Sequence, residues 1–152
     1  LPNQASFLPI AALMFLTGIG IPMMAAFNAG LGQQLGSPVA ATFVLFVVGV
    51  ALAGVILLAT GSAPDISRFA FDRPYIYFGA VFILFYALSI TWAAPRIGVG
   101  NAVFFVLLGQ LVMAAVIDHF GLWGAIKSEI TARRVSGIVI MAIGVYLAKK
   151  SA

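Results

Sequence analysis

No acidic or basic side chain occurs between Leu1 and Pro64; the first is Asp65. A stretch that long without charge cannot form a water-facing surface, because soluble domains carry about 25% Asp, Glu, Lys and Arg. Over all 152 residues only 8% are charged and 63% are hydrophobic. Soluble enzymes and nucleic-acid binders are excluded on this ground, and disulfide-knit scaffolds by the absence of cysteine. An integral membrane protein remains, with bilayer lipid as its first partner. The net charge of +4 is no nucleic-acid footprint, since basic residues of membrane proteins collect in loops and set orientation.

A membrane-spanning helix needs about 20 apolar residues. Gly, Pro and charge divide this chain into five apolar runs, at about 7–28, 38–60, 74–94, 100–117 and 135–148. Pro38 and Pro74 open two of them, where Pro suits a first helical turn. The connections are a Gly/Gln-rich loop at 29–37, a turn at 95–98, and polar loops at 61–73 and 118–134, the last with room for a short interfacial helix. The fifth run is short and spans only if its flanking Arg134 and Lys149 snorkel. Strands of a transmembrane barrel would alternate apolar and polar residues, whereas these runs are continuously apolar. The expected fold is an all-α integral membrane protein, with five transmembrane helices in a single membrane domain, 1–152. No basic segment precedes the first run, so a signal peptide is not expected.

With five spans, Arg68, Arg73, Lys127, Arg133 and Arg134 share the side of the N-terminus, against Arg96, Lys149 and Lys150 opposite. That bias places the N-terminus inside, and it is small enough to leave dual insertion open. A faint internal echo relates residues 36–45 (GSPVAATFVL) to 98–107 (GVGNAVFFVL), each a Gly-containing turn leading into an Ala/Val/Phe helix.

Inside a bilayer the informative residues are the polar ones. Asn28 closes the first run and Thr42 lies in the second. Tyr86, Ser89, Thr91 and Trp92 lie in the third, Asn101 opens the fourth, and Gln110 sits near its middle. An amide at mid-depth costs free energy unless hydrogen-bonded, so Gln110 should meet a neighbouring helix or a wet cavity. Asn28 and Asn101 read as helix caps or cavity groups, Trp92 as an interfacial anchor, and Tyr86 as the deeper cavity candidate. Asn28, Thr42, Tyr86, Asn101 and Gln110 are therefore the candidate solute-binding positions. Asp118 and His119 form the one acid–histidine pair, either a proton relay or a solvated helix end. No acid lies deep in any run, and no HExxH, P-loop or GxSxG pattern occurs. No enzyme activity, cofactor or metal is expected. In the fifth run Gly137, Gly144 and the intervening Ala142 put small residues near one helix face, because seven residues are close to two turns, and small residues let helix backbones approach in lipid. Helix 5 is thus the candidate dimerisation helix.

The order of motifs resembles the YdcZ-like group, a half-sized, five-helix branch of the drug/metabolite transporter superfamily. The stretches that carry the resemblance are NAGLGQQLGSP at 28–38, APRIG at 94–98, GQL at 109–111, DHFG at 118–121 and RVSGIVIMAIGV at 134–145. The resemblance implies a multi-pass bacterial inner-membrane protein working as a homodimer or paralogous heterodimer. Small multidrug resistance transporters are more distant relatives whose last helix dimerises through spaced glycines. They use a membrane-embedded Glu in the first helix; here that helix carries Met23 and Met24 before Asn28. Cationic-drug specificity and proton coupling therefore do not carry over. Two readings follow: a dimeric alternating-access transporter of a small polar or amphipathic solute, with its cavity among helices 1–4, or a non-transport membrane scaffold partnering another membrane protein.

Overall fold

A computed structural model describes residues 4–69 and 71–148. Among these there are five helices: α1 (Gln4–Gln34), α2 (Pro38–Thr60), α3 (Gly79–Ile97), α4 (Val99–Phe120) and α5 (Ala132–Ala148). Short 3-10 turns stand at Ile66–Arg68, Pro74–Phe78 and Leu122–Gly124. Four stretches are long and apolar enough to cross a membrane: Phe7–Gln34, Pro38–Thr60, Pro74–Ile97 and Val99–Phe120. The fifth helix is not among them. Its 17 residues reach about 26 Å at 1.5 Å per residue, and Lys149, on which snorkelling would depend, lies outside the described residues together with Lys150.

Local chemistry sets the helix ends. The segment 29–34, read as loop, is helical, and α1 stops where Gly36 adopts φ 65°. There Ser37 N–H donates to the Gly32 carbonyl (3.0 Å) and Gly36 N–H to that of Gln33 (3.2 Å), the paired bonds of a Schellman stop. Ser37 then caps α2, its Oγ accepting from Ala40 N–H at 3.1 Å, with Pro38 in the first turn. Gly61, at φ 63°, ends α2 in the same manner as Gly36 ends α1. The third helix runs through Pro95 to Ile97. A proline there removes only the donor to the Thr91 carbonyl, a loss that membrane helices tolerate.

The residues group into two compact units, Leu1–Arg96 and Ile97–Ala152. In the first, α1 and α2 pack side by side and the buried apolar core is mostly alanine: Ala25 and Ala29 on α1, Ala41 on α2, Ala87 and Ala94 on α3, with Ile90 the one large side chain among them. The spacings 25/29/32 and 87/90/94 each keep to one helix face. Small residues allow the close approach on which van der Waals packing in lipid depends. Large apolar side chains point outward instead, Leu58 at 82% exposure and Leu8 at 74% among them. That inversion suits a chain whose solvent is hydrocarbon.

The wet connection between α2 and α3 is organised by Asp65. Its Oδ1 accepts from Ser67 Oγ (2.7 Å) and Ser67 N–H (3.0 Å), and Arg68 lies 3.5 Å from Oδ2. The Ser67 hydroxyl, then its amide, hold the Asp65 carboxyl below its ordinary 3.8. A lowered folded-state pKa favours the turn above that ordinary value and withdraws the support as pH falls through the lowered one. The Ser67 amide signal is accordingly expected to titrate with a midpoint below 3.8, and Ser67→Ala to raise that midpoint; an unchanged midpoint would contradict the assignment. Phe69 and Phe71 flank Tyr77 at 6.3 and 5.7 Å between ring centroids, closing this loop over the start of the third span.

In the second unit α4 packs on α5. Arg134 donates to Asp118 Oδ2 at 2.6 Å, half-buried on both sides. His119 Nδ1 accepts from Ile130 N–H at 3.1 Å, and the Asp118 carbonyl from Ser128 N–H at 2.8 Å. The polar segment after α4 is thus strapped back onto the helix end. It holds one 3-10 turn, Leu122–Gly124, where there was room for a short interfacial helix.

Candidate functional site

The most deeply buried polar contact joins α1 to α3. Asn28 is 4% exposed and Thr91 2%. Asn28 Nδ2 donates to Thr91 Oγ1 at 2.5 Å, and Thr91 Oγ1 donates on to the Ala87 carbonyl at 2.7 Å. The contact exists because Gly32 lies one turn beyond Asn28: a Cβ there would stand 3.2 Å from Thr91 Cγ2. Asn28 is therefore an interior residue of α1 rather than a cap on its end.

Cavities surround this contact. Asn28 is the polar member of an otherwise apolar groove of about 460 Å³ between α1 and α2, lined also by Met23, Met24, Phe27 and Leu45. Met24 and Leu45 also line a cavity of about 320 Å³ that reaches Tyr86 and Phe46. Phe46 in turn borders a third, of about 400 Å³, containing Thr42, Ala80 and Leu84. Two hydroxyls in this region, Thr42 Oγ1 and Tyr86 OH, are buried and have no hydrogen-bond partner among the described residues. A hydroxyl in an apolar setting without a partner costs about 1–3 kcal/mol. A fourth pocket of about 400 Å³ lies at the α1–α2 turn and is lined by Gln33, Gly36, Pro38, Thr91 and Arg96.

Of the candidate positions, Asn28, Thr42 and Tyr86 thus border linked cavities of the first unit. Asn101 and Gln110 belong to the second. Asn101 Nδ2, in the first turn of α4, donates to the carbonyl of Ile97, the last residue of α3, at 2.8 Å, and Gln110 is exposed at the middle of α4. Asp118 and His119 are engaged by Arg134 and Ile130 respectively. On α5, Gly137 and Gly144 face outward, with nothing within 4 Å of an added Cβ. The assignment of Ala142 to their face is corrected: five residues turn it about 140° from Gly137, and it is half-buried. Thr91, named among the polar residues of the third run, was not chosen as a solute-binding candidate, and neither were Gln33 and Arg96. Thr91 had a signal, standing four residues before Pro95, where the proline releases its carbonyl.

Four long apolar helices, packed through a core built mainly of small residues, mark a multi-pass membrane protein. Residues 9–147 match the family described as "Putative inner membrane exporter, YdcZ", and the chain belongs to that family. No curated protein and no solved structure matches it.

Proposed function

We propose that this inner-membrane protein moves a small polar or amphipathic solute by alternating access, working as a pair of chains, with five membrane-crossing helices in each and the architecture of a drug/metabolite half-transporter. The observation that carries this reading is the pair of buried hydroxyls, Thr42 and Tyr86, with no protein partner among the described residues. A scaffold gains nothing from two such groups, whereas a transporter uses them to receive a solute as it leaves water. Asn28 supplies an amide to the adjoining groove, and Met23, Met24 and Phe27 offer an adaptable apolar wall. No carboxylate lines these three cavities, so recognition there rests on amides, hydroxyls and shape.

Two features support pairing. The Gln110 amide is exposed halfway along α4, a costly position against lipid that a second copy would relieve. Gly137 and Gly144 leave an open strip along α5 for close backbone approach. The test is flux in proteoliposomes. Tyr86→Phe removes the hydroxyl and Thr42→Val replaces it with a methyl group of similar size, each eliminating a buried unpaired hydroxyl, so each is expected to fold at least as stably as the parent. Each should lower transport about tenfold, the equivalent of one lost hydrogen bond. Undiminished flux in both variants would remove them from the pathway. Absence of flux in the parent across a broad solute panel would favour the scaffold reading.

A further inference from the structure

The pocket at the α1–α2 turn differs chemically from the cavities described above. Between Arg73 and Asp118 the chain has one charged side chain, Arg96. All four carboxylates, Asp65, Asp72, Asp118 and Glu129, lie in the polar segments 61–73 and 118–134. Three of them pair with Arg68, Arg73 and Arg134, and among the described residues none pairs with Arg96. The 24-residue span Pro74–Ile97 sets Arg96 about 30 Å or more from Asp72. Arg96 is nevertheless held in place. One Nη donates to the Trp92 carbonyl, and its guanidinium carbon stands 4.2 Å from the Trp92 ring centroid. A guanidinium has five N–H donors, so a donor edge remains for a ligand.

Two further groups in the same pocket complement that edge. Gln33 lines it, with a side-chain amide that has no partner among the described residues. Pro38, also in the lining, opens the 23-residue α2 and so brings the positive end of that helix dipole to the pocket. A fixed guanidinium, a free amide and no neighbouring acid are the donor set that recognises an oxyanion. The volume, about 400 Å³, suits a small molecule.

We propose that this pocket binds the carboxylate or phosphate of a small anion between Arg96 and the Gln33 amide. The inference deepens the transporter reading and rests on it for the anion's being cargo. The same chemistry is offered by a free solute and by a phospholipid headgroup, and the test separates the two sources.

Trp92 stacks on Arg96 and reports locally, so the full chain carrying Trp123→Phe gives one indole signal. In phosphatidylcholine nanodiscs it is titrated with butyrate and with butylammonium, probes of equal length and opposite charge. Butyrate is expected to shift the Trp92 emission and butylammonium to leave it unchanged. Arg96→Gln should weaken butyrate about ten- to a hundredfold. Arg96→Lys should fall in between, keeping charge without the fork, and Gln33→Leu should weaken butyrate severalfold with the charge intact. Melting temperatures of the variants verify that each is folded. Competition by added phosphatidylglycerol would identify a headgroup as the occupant, and an unchanged butyrate titration would identify a soluble anion. No response to butyrate in the parent, equal binding of butylammonium, or undiminished butyrate binding by folded Arg96→Gln would overturn the proposal. Binding is read without flux, so a chain that binds butyrate but transports nothing faults the transporter reading and leaves the pocket standing.

Discussion

Gly32→Val is expected to cost about 3 kcal/mol or more, the upper range for overpacking a tight interior, and to leave little folded protein in the membrane. An added Cβ at Gly32 already stands 3.2 Å from Thr91 Cγ2, 3.6 Å from Pro38 Cα and 3.7 Å from Ala41 Cβ. Pro38 Cα is backbone and cannot swing aside. Thr91 is stiff at χ1 as a β-branched residue, and its hydroxyl is tied to both Asn28 and Ala87. The two further methyl groups of valine therefore force α1 away from α3. Gly30 is the control: it lies two residues earlier in the same helix, with nothing within 4 Å of an added Cβ. Gly30→Ala is expected to be neutral or to stabilise by about 0.5–1 kcal/mol, the helix preference of Ala over Gly. The measurement is reversible unfolding in mixed micelles. Equal stabilities for the two variants would mean that α1 and α3 do not meet at Gly32.

The second large effect is an asymmetry between the partners of the buried hydrogen bond. Thr91→Val removes the hydroxyl and leaves the Asn28 amide, 4% exposed, with no acceptor, at an expected cost of about 1–3 kcal/mol. Asn28→Leu costs less, because the Thr91 hydroxyl still donates to the Ala87 carbonyl. The double variant should recover part of the Thr91→Val loss, with a coupling of about 0.6–2 kcal/mol, the range for hydrogen bonds between membrane helices. Flux should behave differently: both single variants are expected to lose transport, and the double variant should not regain it, since the groove then has no polar group. Equal destabilisation by the two single variants would show that Thr91 depends on Asn28 as much as Asn28 depends on Thr91.

Much of the helical layout was legible in the residues. Pro38 announces the start of α2 because its preset φ acts locally. The charged stretch 61–73 marks the wet connection for an equally local reason. Two ends moved: α1 passes Asn28 to its stop at Gly36, and α3 passes Pro95, because membrane helices tolerate the one donor a proline removes. The site was less legible. Depth along the helix made Gln110 prominent, yet it is exposed. Asn28 read as either a helix cap or a cavity group, and it stands inside α1 at the centre of the first unit's polar contact. The two-turn spacing that aligns Gly137 with Gly144 was extended to the intervening Ala142, which the helical angle turns away from them.

The sequence by itself determined that this chain lives in a bilayer and crosses it as helices. Uncharged stretches of such length have no other stable solvent, and backbone groups in hydrocarbon must bond within their own segment. It also confined every carboxylate to two polar segments. Only the tertiary structure decided which polar residues meet. Asn28 and Thr91 are 63 positions apart, and their contact depends on the rotation of two helices about their own axes. Among so many Ala and Gly residues, several small-residue stripes could have served as the contact face. The stripe through Gly32 brings Thr91 against α1, and Arg96, just over one turn further along α3, joins Gln33 in the lining of one pocket.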